Sequence, residues 1–262
     1  WPGGRGNVGY GANVGSNHTS RLPDQEIFPG EGMFFGLGSS VKFPADYRKS
    51  PYSVISTGTV TLPQRVEFPF SLITQQSIAH NSISPLFNEL IPAWILSDNI
   101  YSVVRNESKY RKRNRSRRNE TDFSIFRPEI VDMMITARNR LKDVSAIKDI
   151  YTESEINGTG KNFITEKNRA EGIEVYSFYI RFYALKLLAH RIGKILSGNN
   201  GIDPAVVFQE DREIQHWSYA MNLINNEGLK DSSIKENLEK LINKNNVFLS
   251  SVYSSKEKDY IR

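Results

Sequence analysis

Five aliphatic residues, Val54, Val60, Val66, Leu72 and Ile78, follow one another at strict intervals of six, and Phe35, Val41 and Tyr47 form a shorter run with the same spacing. An α-helix repeats near 3.6 and a half-buried strand near 2, so neither accounts for this period. The spacing predicts short straight segments joined by turns. One aliphatic side chain per segment points inward, and a small residue at each fifth position lets the corner close. Ala12, Ser39, Ala45 and Gly58 fill that fifth position, while His18, Gln64 and Phe70 depart from it. The pattern opens at "VGYGAN", Val8 to Asn13, and Val14 starts the next block.

With these blocks, residues 2 to 83 resemble the hexapeptide-repeat, left-handed β-helix family, whose members include transferases. The resemblance implies a prism of three faces per coil, left-handed parallel crossovers against the usual rule, and a homo-oligomer, a trimer above all, with sites between subunits. The strings "NHTSRLPDQE", "KFPADYRKSPYS", "TLPQRVEFPFSL" and "LSDNIY" also look like an uncharacterised bacterial family of large hexapeptide-repeat proteins with helical C-terminal parts. That likeness implies architecture and no particular reaction. The expected fold is therefore mixed β and α: the C-terminal coils of a left-handed parallel β-helix over residues 1 to 83, followed by an α-helical domain over residues 84 to 262. Two insertions, near residues 20 to 34 and 48 to 53, are rich in Pro, Gly and charge and are expected to leave the prism as loops.

Beyond about Pro85 the hydrophobic period becomes helical. Ser97-Asp98 is expected to cap a helix running through Ile100, Val103 and Val104 into a basic run, and Pro128 stands at a first helical position. "NGTGKN", Asn157 to Asn162, reads as a loop. A helix from about Gly172 to Leu196 is apolar on much of its circumference and stops at Gly198, which suits the centre of a bundle. Further starts are expected at Asp203-Pro204 and at Asp231 to Ser233, with a frayed tail from Tyr253.

Among 262 residues there is no cysteine, which excludes disulfides and thiolate chemistry and fits a cytoplasmic, reducing compartment. No run of about 18 uninterrupted apolar residues predicts a membrane span. The chain opens on Trp1-Pro2 without an initiator Met or a signal sequence, so further coils are expected to precede it. The glycines of "GGRGNVGYGANVG" lack the strand, loop and helix context of a dinucleotide site, and the several Asn-X-Ser/Thr triplets occur in a chain generally rich in Asn and Ser.

His18 is the candidate general base, because in the family resembled a prism histidine takes the proton of the hydroxyl or amine that attacks an activated acyl group, and an imidazole with a free pKa of about 6.5 suits that role. Asn17 beside it, and Asp24 and Glu26 on the following loop, complete the candidate catalytic set. The alternative for Asn17 and His18 is an irregular packed corner. Metal is not expected: the carbonic anhydrases of the same family use three histidines, and this chain has four in all, with only His18 and His80 in its first third. The segment "KYRKRNRSRR", Lys109 to Arg118, following Arg105, attracts phosphate. Arg111, Arg113, Arg115 and Arg117 are its candidate phosphate ligands, with Arg48 and Lys49 as a second pair. Coenzyme A or a nucleotide sugar is the expected donor, and nucleic acid is disfavoured because Tyr110 is the run's only aromatic residue. The two functions left open are a transferase of an activated acyl group or nucleotide sugar, and a non-catalytic scaffold whose basic helix serves assembly or polyanion binding.

Overall fold

A computed structural model describes residues 6–14, 27–115, 118, 124–198, 204–209 and 216–261. Its main sheet has seven strands. Strands β1 (Asn7–Val8), β3 (Phe34–Phe35), β6 (Val54–Ile55) and β9 (Leu72–Thr74) run parallel, with Asn7, Phe34, Val54 and Leu72 in one register row. The sheet then turns: β10 (Asn88–Ile91) pairs antiparallel with β9, β12 (Asn162–Thr165) parallel with β10, and β11 (Ile150–Tyr151) antiparallel with β12. A three-stranded parallel sheet joins β2 (Ile27–Phe28), β5 (Ala45–Asp46) and β8 (Gln64–Arg65), and a two-stranded one joins β4 (Ser40–Val41) and β7 (Val60–Thr61). Close approach of successive parallel segments explains Gly36, where an added Cβ would sit 2.5 Å from the backbone nitrogen of Thr57.

The left-handed β-helix followed by a purely helical half is corrected by this topology. The chain is a mixed α/β protein whose main sheet contains both parallel and antiparallel pairs and draws β10, β11 and β12 from beyond residue 83. The reason lies in the facing of the side chains. Of the five residues at strict spacing of six, Val66 is buried, whereas Val60 and Ile78 are 47% and 69% exposed and Val54 and Leu72 are half-buried. The residues pointing into the core are the next ones along, Ile55, Thr61 and Ile73, each fully buried. In the pairs Val54-Ile55, Val60-Thr61 and Leu72-Ile73 both members suit a strand. The period selects the outward member of each pair. The shorter run Phe35, Val41 and Tyr47 does point inward.

Seven helices follow among the described residues. They are α1 (Trp94–Asp98), α2 (Ile100–Arg113), α3 (Pro128–Lys142), α4 (Glu166–Gly198), α5 (Pro204–Val207), α6 (Trp217–Asn226) and α7 (Ile234–Ile261). Pro128 does open α3, where its missing N–H costs nothing. Ser97 and Asp98 end α1 rather than cap α2, whose N-cap Asn99 makes no side-chain cap bond. The tail is helical through Ile261, not frayed.

The long helix α4 packs against α3, α6 and α7 and carries the buried Tyr176, Ile180, Ala184, Leu188 and Ile192. Two of its hydroxyls fix it to the chain around the sheet: Tyr176 donates to the Pro69 carbonyl at 2.6 Å and Tyr179 to the Leu96 carbonyl at 2.9 Å. A ladder of stacked rings, Tyr52 on Phe70 at 5.3 Å, Phe70 on Phe126 at 5.9 Å and Phe126 on Tyr179 at 5.4 Å, continues the core from the sheet's turns into α4. Because α1 is anchored by Leu96 and leads directly into α2, this packing also sets where α2 stands.

Candidate functional site

Helix α2 stands across from the outward row of the main sheet, and a cleft of about 840 Å³ lies between them. Ligand sites commonly measure about 300–1,000 Å³. The floor is the register row itself: Phe34, Val54 and Leu72 present half-buried apolar side chains, with Asn7 at one end. Trp94 and Ile95 of α1 and Val103 of α2 extend the apolar lining. The opposite wall carries Arg105, Lys109 and Arg113, spaced four residues apart and hence on one face of α2.

These three cations are not equivalent. Arg105 donates to Asp259 of α7 at 3.2 Å and stacks over Tyr101, while its Nε is buried with no hydrogen-bond partner among the described residues. Buried donors without partners are uncommon in folded proteins. Lys109 and Arg113 form no ion pair among the described residues, although both lie on the cleft wall. The backbone of α2 is tied to α7 by the Tyr101 N–H donating to Ser255 Oγ at 3.2 Å, so the wall is supported from behind. Tyr52 lines the other side of the cleft, where its hydroxyl donates to Glu31 Oε1 at 2.6 Å and Arg127 grips the same carboxylate through two nitrogens. Gly32 adjoins that ring. A side chain there would overlap Tyr52, and the φ of +65° suits glycine.

The sequence-derived candidates divide sharply. His18, Asn17, Asp24, Glu26 and Arg117 lie outside the described residues. Arg113 faces the cleft, whereas Arg111 turns to Glu107 at 2.6 Å one helical turn away, and Arg115 is exposed past the end of α2. Arg48 is engaged by Asp46 through two nitrogens at 2.7 and 3.0 Å and lies over the Phe28 ring. That bond holds the Asp46 carboxyl below its ordinary range. Lys49 belongs to a cluster around Glu67, whose side chain is 6% exposed and meets Arg65 at 2.5 Å, Arg140 at 2.6 Å and Lys49 at 3.4 Å. Burial works to raise the Glu67 carboxyl, but the Arg140 hydrogen bond and the three cationic charges outweigh it and hold the group below the usual carboxylate range. Neither Arg48 nor Lys49 reaches the cleft.

The period of six places Val54 and Leu72 in the interior and so hides the cleft floor, and the candidates drawn from the basic run, all arginines, leave out Lys109, which lines the cleft. Spacing was the available signal: Arg105, Lys109 and Arg113 share a helix face with the apolar Val103 nearby. Among the described residues no group of three His, Asp or Glu could hold a metal ion. His80 makes an edge contact with Phe163 at 5.3 Å, and His216 precedes α6 with a φ of 65°.

The chain is 30% identical over 130 residues to an uncharacterized protein of Treponema pallidum (strain Nichols), and the match covers 49% of this chain. It spans 17% of that relative's length. No protein-family model and no solved structure matches the chain.

Proposed function

We propose that the cleft between α2 and the main sheet binds a small phosphorylated ligand, and that the protein is a transferase using a phosphate-bearing donor such as an acyl-coenzyme A or a nucleotide sugar. The observation that carries this reading is the row Arg105, Lys109 and Arg113 facing an apolar floor across a ligand-sized cleft, with Lys109 and Arg113 unneutralised among the described residues. Cations on one wall attract and orient phosphate oxygens, and the apolar floor lowers the local dielectric and strengthens that attraction. The transfer step also needs a base, and His18 is the proposed one. No helix among the described residues is long and apolar enough to cross a membrane. A cytoplasmic location belongs to the same proposal, supported by the cysteine-free sequence.

Thermal melting with coenzyme A, a nucleotide sugar and inorganic phosphate tests the binding step. A ligand at 100 times its dissociation constant adds about 2.7 kcal/mol to stability, so a stabilising response that is lost in Lys109→Ala with Arg113→Ala is the expected result. Once a donor is identified, His18→Ala should lower turnover by about 100- to 10,000-fold. The scaffold reading draws support from the exposed Lys112 and Arg115, which do not line the cleft. It requires instead that affinity for an arbitrary polyanion fall steeply with salt and survive the Lys109 and Arg113 substitutions.

A further inference from the structure

Resting on the phosphate reading of this cleft, the geometry points to a narrower ligand class: an aliphatic chain ending in a phosphate monoester, with the chain on the sheet and the phosphate at α2. The floor is made of neighbouring side chains on three strands, Phe34, Val54 and Leu72, held in one register row. Strands lie about 4.8 Å apart, so this row is a shelf about 10 Å long and one side chain wide. Its middle and far positions are aliphatic. A nucleotide base gains most from an aromatic face on which to stack; the rings of the cleft, Phe34, Tyr52, Trp94 and Tyr110, lie outside these two positions, and Val54 and Leu72 themselves offer none. An alkyl chain needs only apolar area and an elongated shape, which the shelf supplies.

The charges match the same class. Arg105 is shared with Asp259, and Arg111 outside the cleft lining neutralises Glu107. Lys109 and Arg113 therefore leave two cations to be satisfied, against a charge of about −1.5 to −2 on a phosphate monoester at pH 7. The floor and the charged wall face each other, so one molecule must present an apolar side and an anionic end to occupy both.

The test is calorimetric titration of the whole chain with inorganic phosphate, ethyl, hexyl and decyl phosphate, and adenosine monophosphate. Affinity is expected to rise by up to about fourfold for each added methylene, equivalent to about 0.8 kcal/mol per buried CH2, until the shelf is filled. Val54→Thr with Leu72→Thr should flatten that rise while leaving ethyl phosphate binding in place. The alkyl series on the unaltered protein stands by itself if the variant melts early. A flat series, adenosine monophosphate binding as tightly as decyl phosphate, or an undiminished rise in the folded variant would overturn the chain-binding inference and leave the phosphate reading intact. Failure of every phosphate compound to bind would remove both.

Discussion

Arg48 with Lys49 and the basic run on α2 draw the same phosphate expectation from sequence and behave differently in space. Around Glu67, the side chains of Lys49, Arg65 and Arg140 converge on one buried carboxylate, and nearby Arg48 is gripped by Asp46. On α2, Lys109 and Arg113 face a cleft and have no ion-pair partner among the described residues. Local charge density therefore says little about function by itself. What separates the groups is whether the fold brings a carboxylate to meet them, since a cation already paired at short range has little attraction left for a ligand.

The largest test of this contrast is Glu67→Gln. Removing the shared anion leaves Arg140, partly buried, without its charge partner, and breaking such a pair costs about 3 kcal/mol or more. Chemical denaturation should show a correspondingly lower midpoint, and an unchanged midpoint would mean that the cluster is solvated rather than structural. Lys109→Ala with Arg113→Ala should do the reverse. It should shift folding stability by no more than about 0.5 kcal/mol, as expected away from structural features, yet weaken a phosphorylated ligand by tenfold or more, because charge-assisted hydrogen bonds contribute about 1.5–3 kcal/mol each.

Acid titration sharpens the comparison at a third ion-paired site, Arg169 with Glu166. Hydrogen bonds from Arg169, with a further one from the Tyr151 hydroxyl, hold the Glu166 carboxyl down at about 2 against partial burial, below its ordinary 4.5. A depressed carboxylate stabilises the fold fully above about pH 4.5 and loses that contribution as pH falls toward 2. Melting temperatures of Glu166→Gln should start lower at neutral pH and fall less over that interval than those of the unaltered chain; parallel curves would count against the contact. The smallest effect belongs to Arg48→Ala. Its exposed pairing with Asp46 should leave the melting temperature nearly unchanged, consistent with the small value of surface ion pairs.

Much of the helical half was legible because its signals are local. Pro128 marks a helix start through its own geometry, and the apolar period of α4 survives any tertiary arrangement. Strand facing was not legible in the same way. At Val54-Ile55 and Leu72-Ile73 both residues are aliphatic, and only packing against a particular partner decides which one turns inward. The tidy spacing at six followed the outward members, which hid the cleft floor in what looked like core. Helix α6 went unforeseen as well, although its buried Trp217, Ala220, Leu223 and Ile224 follow a helical spacing. Of the residues expected as phosphate ligands, Arg113 faces the cleft, and the local signal that separates it from Arg111 is spacing: Arg111 lies four residues after Glu107, and Arg113 four after Lys109. Which helix face meets the cleft depends on where α7 and the sheet stand relative to α2.

The strand order carries a kinetic consequence. Strand β10 ends at Ile91 and its parallel neighbour β12 begins at Asn162, so α1, α2 and α3 all lie within the connection that their pairing must close. Bringing such distant segments together costs chain entropy before any contact repays it, whereas the turns between successive parallel strands close early. The wall of the cleft is thus expected to assemble late and its floor to assemble first. The same order is expected of amide hydrogen exchange, with α2 opening at lower free energy than Ile55 and Ile73 beneath the shelf. A ligand gripping both sides would act as a clasp between an early-forming half and a late-forming one, slowing the protein's unfolding as well as raising its melting temperature.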